Sequence, residues 1–472
     1  MNININVDSP LTAFSGRLVY REIEFVFVFD GKELRLIPQD EKEDEIQAEW
    51  LYARERIETP FLIGKCIENL QMFIFMVNPR ALLKRRNSTL IFEPVAYVES
   101  SRPADALIDF ISFDAPELDG VWPVNSFWTK SDDQSRPGVH KFETKDFDAT
   151  TSAAQMFKVG DCDDCDEIEH CEKCDNLSER NSCEKRRIRE VRVSFCAEKT
   201  IDYGITRTPL TLNSALRFEF EPTNDYRFIY RLYRLARLFL KFLCYRTNVY
   251  LPVIRLAGPT ENGRRRSFAS LRIVEGIDET GPTDEKALEK RSYIKQERIA
   301  GSEGKVLTKL AADELYVRHI PETYKARFSI DAARFVMIMA AFEWEHKRSF
   351  PDKVFRPGKT SKIPLKDRIA QAAKDFDDVI GGFFRSLCFE NQITLDYFAM
   401  AQPLAEQRNR YAHGDLEQDF DSVSIYGLTY LEWLIYAMQL RRCGVDDEHI
   451  REAVADLFGL VGWKDERFWR DV

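Results

Sequence analysis

The spacing of the hydrophobic positions changes near residue 325. Before it, apolar residues come in short runs separated by turn residues, which is typical of β-strands. The first run, 18–30, ends at Asp30-Gly31 and an alternating segment follows, so we predict a hairpin over 18–38. Similar runs occur at 63–77, 90–98, 107–113 and 216–220. The first part of the chain is therefore predicted to be β-rich, as a sandwich or a barrel-like sheet.

A helix and a further strand are predicted within this β-rich part. Apolar residues recur at helical spacing over 225–245, and arginines line the opposite side. A strand is predicted over 249–256. The polar segments 258–269 and 275–289 are predicted to be loops.

After residue 325 the spacing is helical. Four helices are predicted, at 330–348, 365–376, 393–413 and 421–442, and Pro403 is expected to kink or restart the third. The fourth helix is apolar on two sides, so it is buried on both, by the core or by a partner chain. A loop at 351–364 combines three prolines with four basic residues, which are Lys353, Arg356, Lys359 and Lys362.

These patterns predict an α+β fold in two parts. Residues 1–320 form a β-rich N-terminal domain, for which we hypothesise a sensing or regulatory role, and residues 325–472 form an all-α helical bundle. The length of 472 residues agrees with two or three domains, because a single core rarely grows that large.

Composition and charge limit the classes of function. The chain is 44% hydrophobic and 31% charged, as expected of a globular protein, and its best apolar run, 235–245, is broken by Arg237 and Lys241. We therefore expect no membrane span. The first residues do not match a secretory signal, so a cytoplasmic protein is expected. The net charge of −10 indicates that any contact with RNA is local.

Five of the ten cysteines lie between positions 162 and 183. Cys162, Cys165, Cys171 and Cys174 form two Cys-x2-Cys pairs, a spacing that suits tetrahedral zinc. Cys183 or His170 is an alternative to one of these four ligands, and free surface thiols are the other interpretation. Four thiolates leave no open coordination position, so the zinc is predicted to be structural. The acidic surroundings of this zinc-binding insertion, 161–184, favour a structural or protein-binding module over one that reads nucleic acid.

The end of the third helix carries the candidate chemistry. Arg408 and His413 are separated by four residues, Asn409 follows the arginine, and Gly414 indicates that the helix ends there. A guanidinium stabilises charge on a phosphorane, and an imidazole transfers protons near neutral pH. Such a pair suffices to cleave RNA through its own 2′-hydroxyl without a metal, leaving a 2′,3′-cyclic phosphate. DNA lacks that nucleophile and is predicted to resist cleavage.

Helical geometry adds a condition to this pair. Five residues along a straight helix correspond to about 7.5 Å of rise and about 140° of rotation. Arg408 and His413 therefore need a helix end, a partner chain or both to reach one phosphate. Arg408 lies on an apolar stripe with Leu404 and Tyr411, so it is either a buried ion-pair residue or a cleft residue. Glu343 on the first helix is its predicted carboxylate partner.

A second arginine and histidine, Arg442 and His449, have a similar spacing. This pair lacks the asparagine, and Gly444 and two aspartates interrupt it. The spacing alone is therefore a weak indicator of catalysis, and the evidence for Arg408 and His413 depends on Asn409, Gly414 and the surrounding helices.

The string from Arg408 to Gly414, together with Glu343 and an aromatic-rich last helix, resembles the HEPN family of all-helical ribonucleases. Over nearly its full length the chain is similar to the ApeA family of bacterial anti-phage proteins, in which a β-rich domain precedes a HEPN domain. The similarity is specific at 408–414 and diffuse in the N-terminal part.

The resemblance implies abortive infection, in which a silent ribonuclease responds to a phage-derived trigger and cuts host RNA such as tRNA. It implies Arg408 and His413 as the catalytic pair, with Asn409 as their polar neighbour. Glu343 and Tyr411 are predicted to support the site. It also implies an RNA substrate and a homodimer or higher homo-oligomer.

Two other functions compete with this one. A non-catalytic interaction protein would use Arg408 and His413 only to support a dimer interface. A zinc-dependent nuclease at the cysteines is disfavoured, because all four predicted ligands are protein thiols. That the zinc insertion senses infection is a hypothesis motivated by its placement alone.

Overall fold

The structure is a computed structural model. It describes residues 13–39, 61–77, 84–86, 89–123, 127–131, 140–144, 151–162, 186–201, 210–259, 265–274, 293–323, 326, 329, 331–355, 361–382, 385, 394, 396–414 and 422–458.

The chain divides into two compact units. Unit 1 comprises residues 1–115, 127–237 and 250–281, and unit 2 comprises residues 116–126, 238–249 and 282–472. Two short segments of the first half thus group with the C-terminal helices. The domain division predicted between 320 and 325 stays a prediction.

Unit 1 is built on a large antiparallel sheet. The strands of the described residues are β1 Phe14–Tyr20, β2 Ile23–Phe29, β3 Leu34–Pro38, β4 Phe61–Cys66, β5 Met72–Val77, β6 Lys84–Arg86, β7 Thr89–Phe92, β8 Pro94–Ser100, β9 Ile108–Asp114, β10 Phe127–Ser131, β11 His140–Thr144, β12 Gln155–Cys162, β13 Arg186–Ile201, β14 Leu210–Thr223, β15 Val253–Pro259 and β16 Arg265–Ile273. Fourteen of these strands form one sheet in the order β12-β13-β14-β9-β15-β16-β8-β5-β4-β1-β2-β3-β7-β6, and β10 pairs with β11 separately. The β-rich character predicted for this part is confirmed, while its sandwich or barrel-like closure stays a prediction.

The apolar run 18–30 is two strands, not one. Arg21 and Glu22 turn the chain between β1 and β2 with φ values of 48° and 66°, and Tyr20 pairs with Ile23. Two consecutive positive φ values are typical of the tight type I′ hairpin turn, which usually carries Asn or Gly. Neither residue is present here, so the turn left no signal in the sequence. The hairpin predicted through Asp30-Gly31 is confirmed as the pairing of β2 with β3.

Three further predictions need correction. The run 90–98 is two strands, because β7 ends at Phe92 and β8 begins at Pro94. The run 63–77 is divided into β4 and β5, which pair as antiparallel neighbours. The predicted loop 258–269 is too long, because β15 continues to residue 259 and β16 begins at residue 265. Three arginines at 264–266 made the start of β16 look like surface loop, although sheet pairing tolerates exposed polar side chains.

Phenylalanine rings fill the core beneath β1 and β2. Phe25, Phe27 and Phe29 alternate along β2 and are buried among aromatic side chains from neighbouring strands. Two glycines make room for Phe27, since a Cβ atom on Gly16 or Gly64 would lie 2.3 Å or 2.6 Å from its ring. These glycines on β1 and β4 are therefore packing requirements.

Unit 2 contains the C-terminal helices. The helices of the described chain are α1 Pro116–Val121, α2 Tyr226–Cys244, α3 Glu303–Ala311, α4 Ala332–Ser349, α5 Leu365–Phe376, α6 Tyr397–Ala412, α7 Ser422–Arg442 and α8 Asp447–Phe458. The division between the units falls within α2. The predicted helices at 225–245, 330–348, 365–376, 393–413 and 421–442 are confirmed, with small shifts at their ends. No helix of the described residues is both long and apolar enough to cross a membrane.

Helix α7 is buried on both of its apolar sides within the chain itself. Leu431 and Ile435 on one side and Tyr430 and Trp433 on the other are all buried. The Tyr436 hydroxyl donates a hydrogen bond of 2.9 Å to the carbonyl oxygen of Phe242. The core of unit 2 therefore accounts for the two apolar sides of this helix.

Candidate active site

Helix α6 places the predicted catalytic residues at its C-terminal end. Asp396 caps its start by accepting hydrogen bonds from the N–H groups of Phe398 and Ala399. The helix continues through Pro403 to Ala412. The N–H of His413 donates to the carbonyl oxygens of Arg410 and Asn409, at 3.0 and 3.2 Å. His413 is thus the C-cap residue, already outside the regular helix.

Gly414 ends the helix as predicted. Its φ is +86°, and its N–H donates to the carbonyl oxygen of Tyr411 at 3.1 Å. This left-handed conformation favours glycine, because a side chain there is strained. The residue after the histidine therefore sets the direction in which the chain leaves the site.

Arg408 is held by the carboxylate that was predicted for it. Its Nη2 lies 3.0 Å from Oε1 of Glu343 on α4. The other oxygen of Glu343, Oε2, lies 3.1 Å from Nη2 of Arg368 on α5. One carboxylate thus bridges two guanidinium groups that come from two different helices. The ion pair with Glu343 fixes the orientation of the Arg408 side chain, 38% of which stays exposed to solvent.

The charges of this triad do not cancel. Two guanidinium groups and one carboxylate sum to +1, and the side chain of Arg368 is only 8% exposed. His346, one turn after Glu343, is buried, and burial lowers its pKa to about 4, with the charge of Arg368 as a smaller cause. His346 is therefore neutral at physiological pH and adds no charge. Of the two guanidinium groups, the one that solvent reaches is that of Arg408.

The other predicted site residues differ in their exposure. Asn409 and His413 are exposed, whereas Tyr411 is buried and packs edge-on against Phe335 of α4 at 5.2 Å. Tyr411 anchors the end of α6 and does not face solvent. No hydrogen bond joins Arg408 to His413 in the part of the chain that the structure describes. The two catalytic candidates are therefore brought to one helix end but not into direct contact.

A buried carboxylate ties α6 to its neighbours. Asp377, which follows α5, accepts hydrogen bonds of 2.9 Å from the hydroxyls of Tyr397 on α6 and Tyr430 on α7. Burial raises the pKa of Tyr430 well above its usual value, and the charge of Asp377 adds to the effect. These bonds hold the N-terminal end of α6, while Tyr411 holds the other end.

Arg442 and His449 are placed as structural residues. The Nη1 of Arg442 lies 2.6 Å from Oε2 of the fully buried Glu345. The ring of His449 lies 2.7 Å from Asp446 at the start of α8. Both side chains thus have partners within the fold. This agrees with the expectation that their spacing is not itself a sign of catalysis.

The predicted zinc insertion falls mostly outside the described residues. Cys162 is the last residue of β12, and its backbone pairs with Arg186 at the start of β13, so the two ends of the intervening segment lie side by side. Cys165, Cys171 and Cys174, like the alternatives Cys183 and His170, lie outside the described residues. Within the described ranges, no group of three or more His, Cys, Asp or Glu side chains could hold a metal ion. The zinc site stays a prediction.

Arg368 is the site residue that sequence reasoning missed. A signal for it existed, because Arg368 falls on the apolar stripe of α5 with Leu365 and Ala372, as Arg408 does on α6. An arginine in such a position needs a carboxylate partner. The sequence does not show that both arginines use the same one.

The comparisons with known proteins carry no assignment for this site. Models of protein families, curated protein sequences and solved structures were compared with the chain, and none matches it.

Proposed function

We propose that this protein is a metal-independent endoribonuclease that cleaves RNA at the Arg408–His413 end of helix α6. The observation that carries the proposal is the shared carboxylate of Glu343, which orients Arg408 towards solvent and leaves the site a net positive charge. An exposed asparagine and histidine lie beside it at the helix end.

The proposed reaction is transesterification within the RNA. The 2′-oxygen attacks the adjacent phosphorus and loses its proton, the bond to the 5′-oxygen breaks, and that oxygen gains a proton. Arg408 stabilises the charge on the non-bridging oxygens. His413 transfers one of the two protons. The products are a 2′,3′-cyclic phosphate and a 5′-hydroxyl, so no external oxidant or metal enters the balance.

Among the residues that the structure describes, one chain supplies one histidine to this site. We propose that a homodimer, or a higher homo-oligomer, completes it by presenting a second copy of the motif across the same cleft. The biological setting follows from the family resemblance alone. It is a cytoplasmic bacterial defence by abortive infection, with host RNA such as tRNA as substrate and a phage-derived trigger. A structural zinc in the 161–184 insertion belongs to the same proposal.

The test compares wild type, Arg408→Ala and His413→Ala on RNA in EDTA. We expect both variants to lose cleavage while their oligomeric mass stays unchanged and their thermal unfolding shows them to be folded. His449→Ala is the matched control, since it removes another exposed histidine near a helix end, and it should cleave normally. End-group analysis of RNA from infected cells should show 2′,3′-cyclic phosphates at discrete sites with the wild type alone.

The competing proposal is a non-catalytic interaction protein. The ion pair between Arg408 and Glu343 also agrees with this alternative, because an arginine with a purely structural role would be paired with a carboxylate too. If the wild type cleaves no RNA, or if the two variants lose the oligomer, the ribonuclease proposal is refuted and the interaction protein is favoured.

A further inference from the structure

Two exposed phenylalanines of unit 2 each lie beside a lysine. Phe355 is 45% exposed and forms an antiparallel bridge with Lys362 across the 351–364 loop. Phe398, in the first turn of α6, is 39% exposed, and the Nζ of Lys366 lies 4.6 Å from the centre of its ring. We name these four residues the aromatic–lysine surface. A single exposed ring is ordinary on a protein surface, but two exposed rings that each lie beside a lysine form a surface that can bind another molecule.

The four residues lie along one path. Lys362 and Lys366 are four positions apart, where the loop enters α5, and Lys366 contacts Phe398 on α6. Phe398 also shares a helical stripe with Asn409. Eleven residues of helix separate these two by about 16 Å along the axis and only about 20° around it. Phe398 and Asn409 are therefore exposed on the same side of α6, near its two ends, and Asn409 belongs to the candidate active site.

The two lysines of the aromatic–lysine surface are available to bind an anionic ligand. Lys353, in the same loop, is paired with Asp375 at 3.0 Å, and it is not included for that reason. Among the described residues neither Lys362 nor Lys366 forms an ion pair. Two aspartates of this region are the candidate partners for these lysines. Asp367 follows Lys366 in the sequence, and the carboxylate of Asp396 accepts hydrogen bonds from the N–H groups at the start of α6.

We propose that the aromatic–lysine surface binds single-stranded RNA and delivers it to the Arg408–His413 site. Flat rings stack on unpaired bases without regard to sequence, and ammonium groups contact the phosphates between them. This combination is the usual composition of a single-strand-binding groove. A duplex would gain little from it, because its bases are already stacked on one another. The inference rests on the proposed ribonuclease function for the direction of the strand, but not for the binding itself.

The test measures binding directly, in the uncleaving His413→Ala background. The probe is a fluorescent oligouridylate of about 12 nucleotides, within the site sizes of single-strand-binding grooves. Fluorescence anisotropy should show that Phe355→Ala and Phe398→Ala each weaken binding by about 5- to 100-fold. Phe398→Trp should restore it, whereas Phe398→Leu, which keeps an apolar side chain without a flat ring, should not.

Salt dependence tests the lysines separately. The double variant Lys362→Ala/Lys366→Ala should make the plot of log Kd against log salt shallower by about 1.4, since each single-strand phosphate contact contributes about 0.7. The matched control is Lys32→Ala/Lys65→Ala, which removes two exposed lysines from unit 1 and changes net charge equally. It should leave the slope unchanged. Circular dichroism melts show whether each variant is folded.

The outcomes separate the inference from the proposed function. Cleavage by the wild type with full affinity in both phenylalanine variants overturns the inference and leaves the ribonuclease intact. Phenylalanine-dependent binding without any cleavage supports the inference and refutes the ribonuclease. Equal affinity for a duplex of the same length, or displacement of the probe only by an acidic peptide, also overturns the inference.

Discussion

Replacing Arg368 by methionine tests whether the second arginine supports the site or only the fold. Methionine keeps much of the volume of the side chain but removes the charge that lies 3.1 Å from Oε2 of Glu343. Glu343 would then keep Arg408 as its only cation. Its freed oxygen becomes available to the same guanidinium, and the net charge of the triad falls from +1 to 0.

The effect on stability can be bounded from the structure. Two unit charges about 4 Å apart attract by about 4 kcal/mol at an effective dielectric constant near 20. Glu343 is 27% exposed, so water recovers part of this loss. Exposed pairs contribute about 0–1 kcal/mol and broken buried pairs cost about 3–5 kcal/mol. We expect Arg368→Met to lower the free energy of unfolding by about 2 kcal/mol.

The effect on catalysis should exceed what lost stability explains. An Arg408 that is bound more tightly by Glu343 stabilises the phosphorane less, so kcat should fall by about 10- to 100-fold, which is about 1.4–2.7 kcal/mol. KM should change little, because the loss occurs in the transition state. The assay is steady-state RNA cleavage, which gives kcat and KM, at a temperature where urea unfolding shows the variant to be folded.

Two control variants test whether the effect is specific to the Arg368 guanidinium group. Arg368→Lys keeps the charge without the planar fork and should recover part of kcat. Lys374→Met removes an exposed cation from the last turn of the same helix and should change neither quantity. A folded Arg368→Met variant with the wild-type kcat would refute the reasoning, and Arg368 would then be a structural residue only.

Three further predictions concern stability. Gly414→Ala should cost about 1 kcal/mol in urea unfolding, because φ is +86° while no atom lies within 4 Å of the added Cβ, and a cost above about 3 kcal/mol would indicate a clash instead of strain. Tyr430→Phe should cost about 1–2 kcal/mol by taking one hydrogen bond from the buried Asp377, and unchanged thermal unfolding would contradict this. Burial lowers the pKa of His319 to about 3 and of His346 to about 4, from 6.5, so the unfolded chain binds more protons and stability falls as pH drops below 6.5. Each of these two histidines should lower the free energy of unfolding by at most about 2 kcal/mol at pH 5. His346→Gln should make the urea midpoint depend less steeply on pH, and an equally steep dependence would contradict this.

Local pattern was enough to locate the helices and the motif. The bounds of α5 agree with the prediction because apolar spacing reports directly on which face of a helix is buried. The helix end at Gly414 was predictable for a similar reason, since a positive φ is a property of the single residue that adopts it. The turn at Arg21 and Glu22 was not predicted from the sequence, because neither residue has a turn preference. The pairing of β1 with β2 imposes the turn conformation on them.

Sequence alone therefore determined the two-part α+β character, the helical tail and the Arg408–His413 string. Tertiary structure decided that Glu343 serves two arginines at once, 25 and 65 positions away. It also decided that Lys366 meets Phe398, and that Tyr411 is an anchor in the core. The physical reason is that periodicity reports which side of an element is buried, whereas the partner found there depends on how separate helices pack.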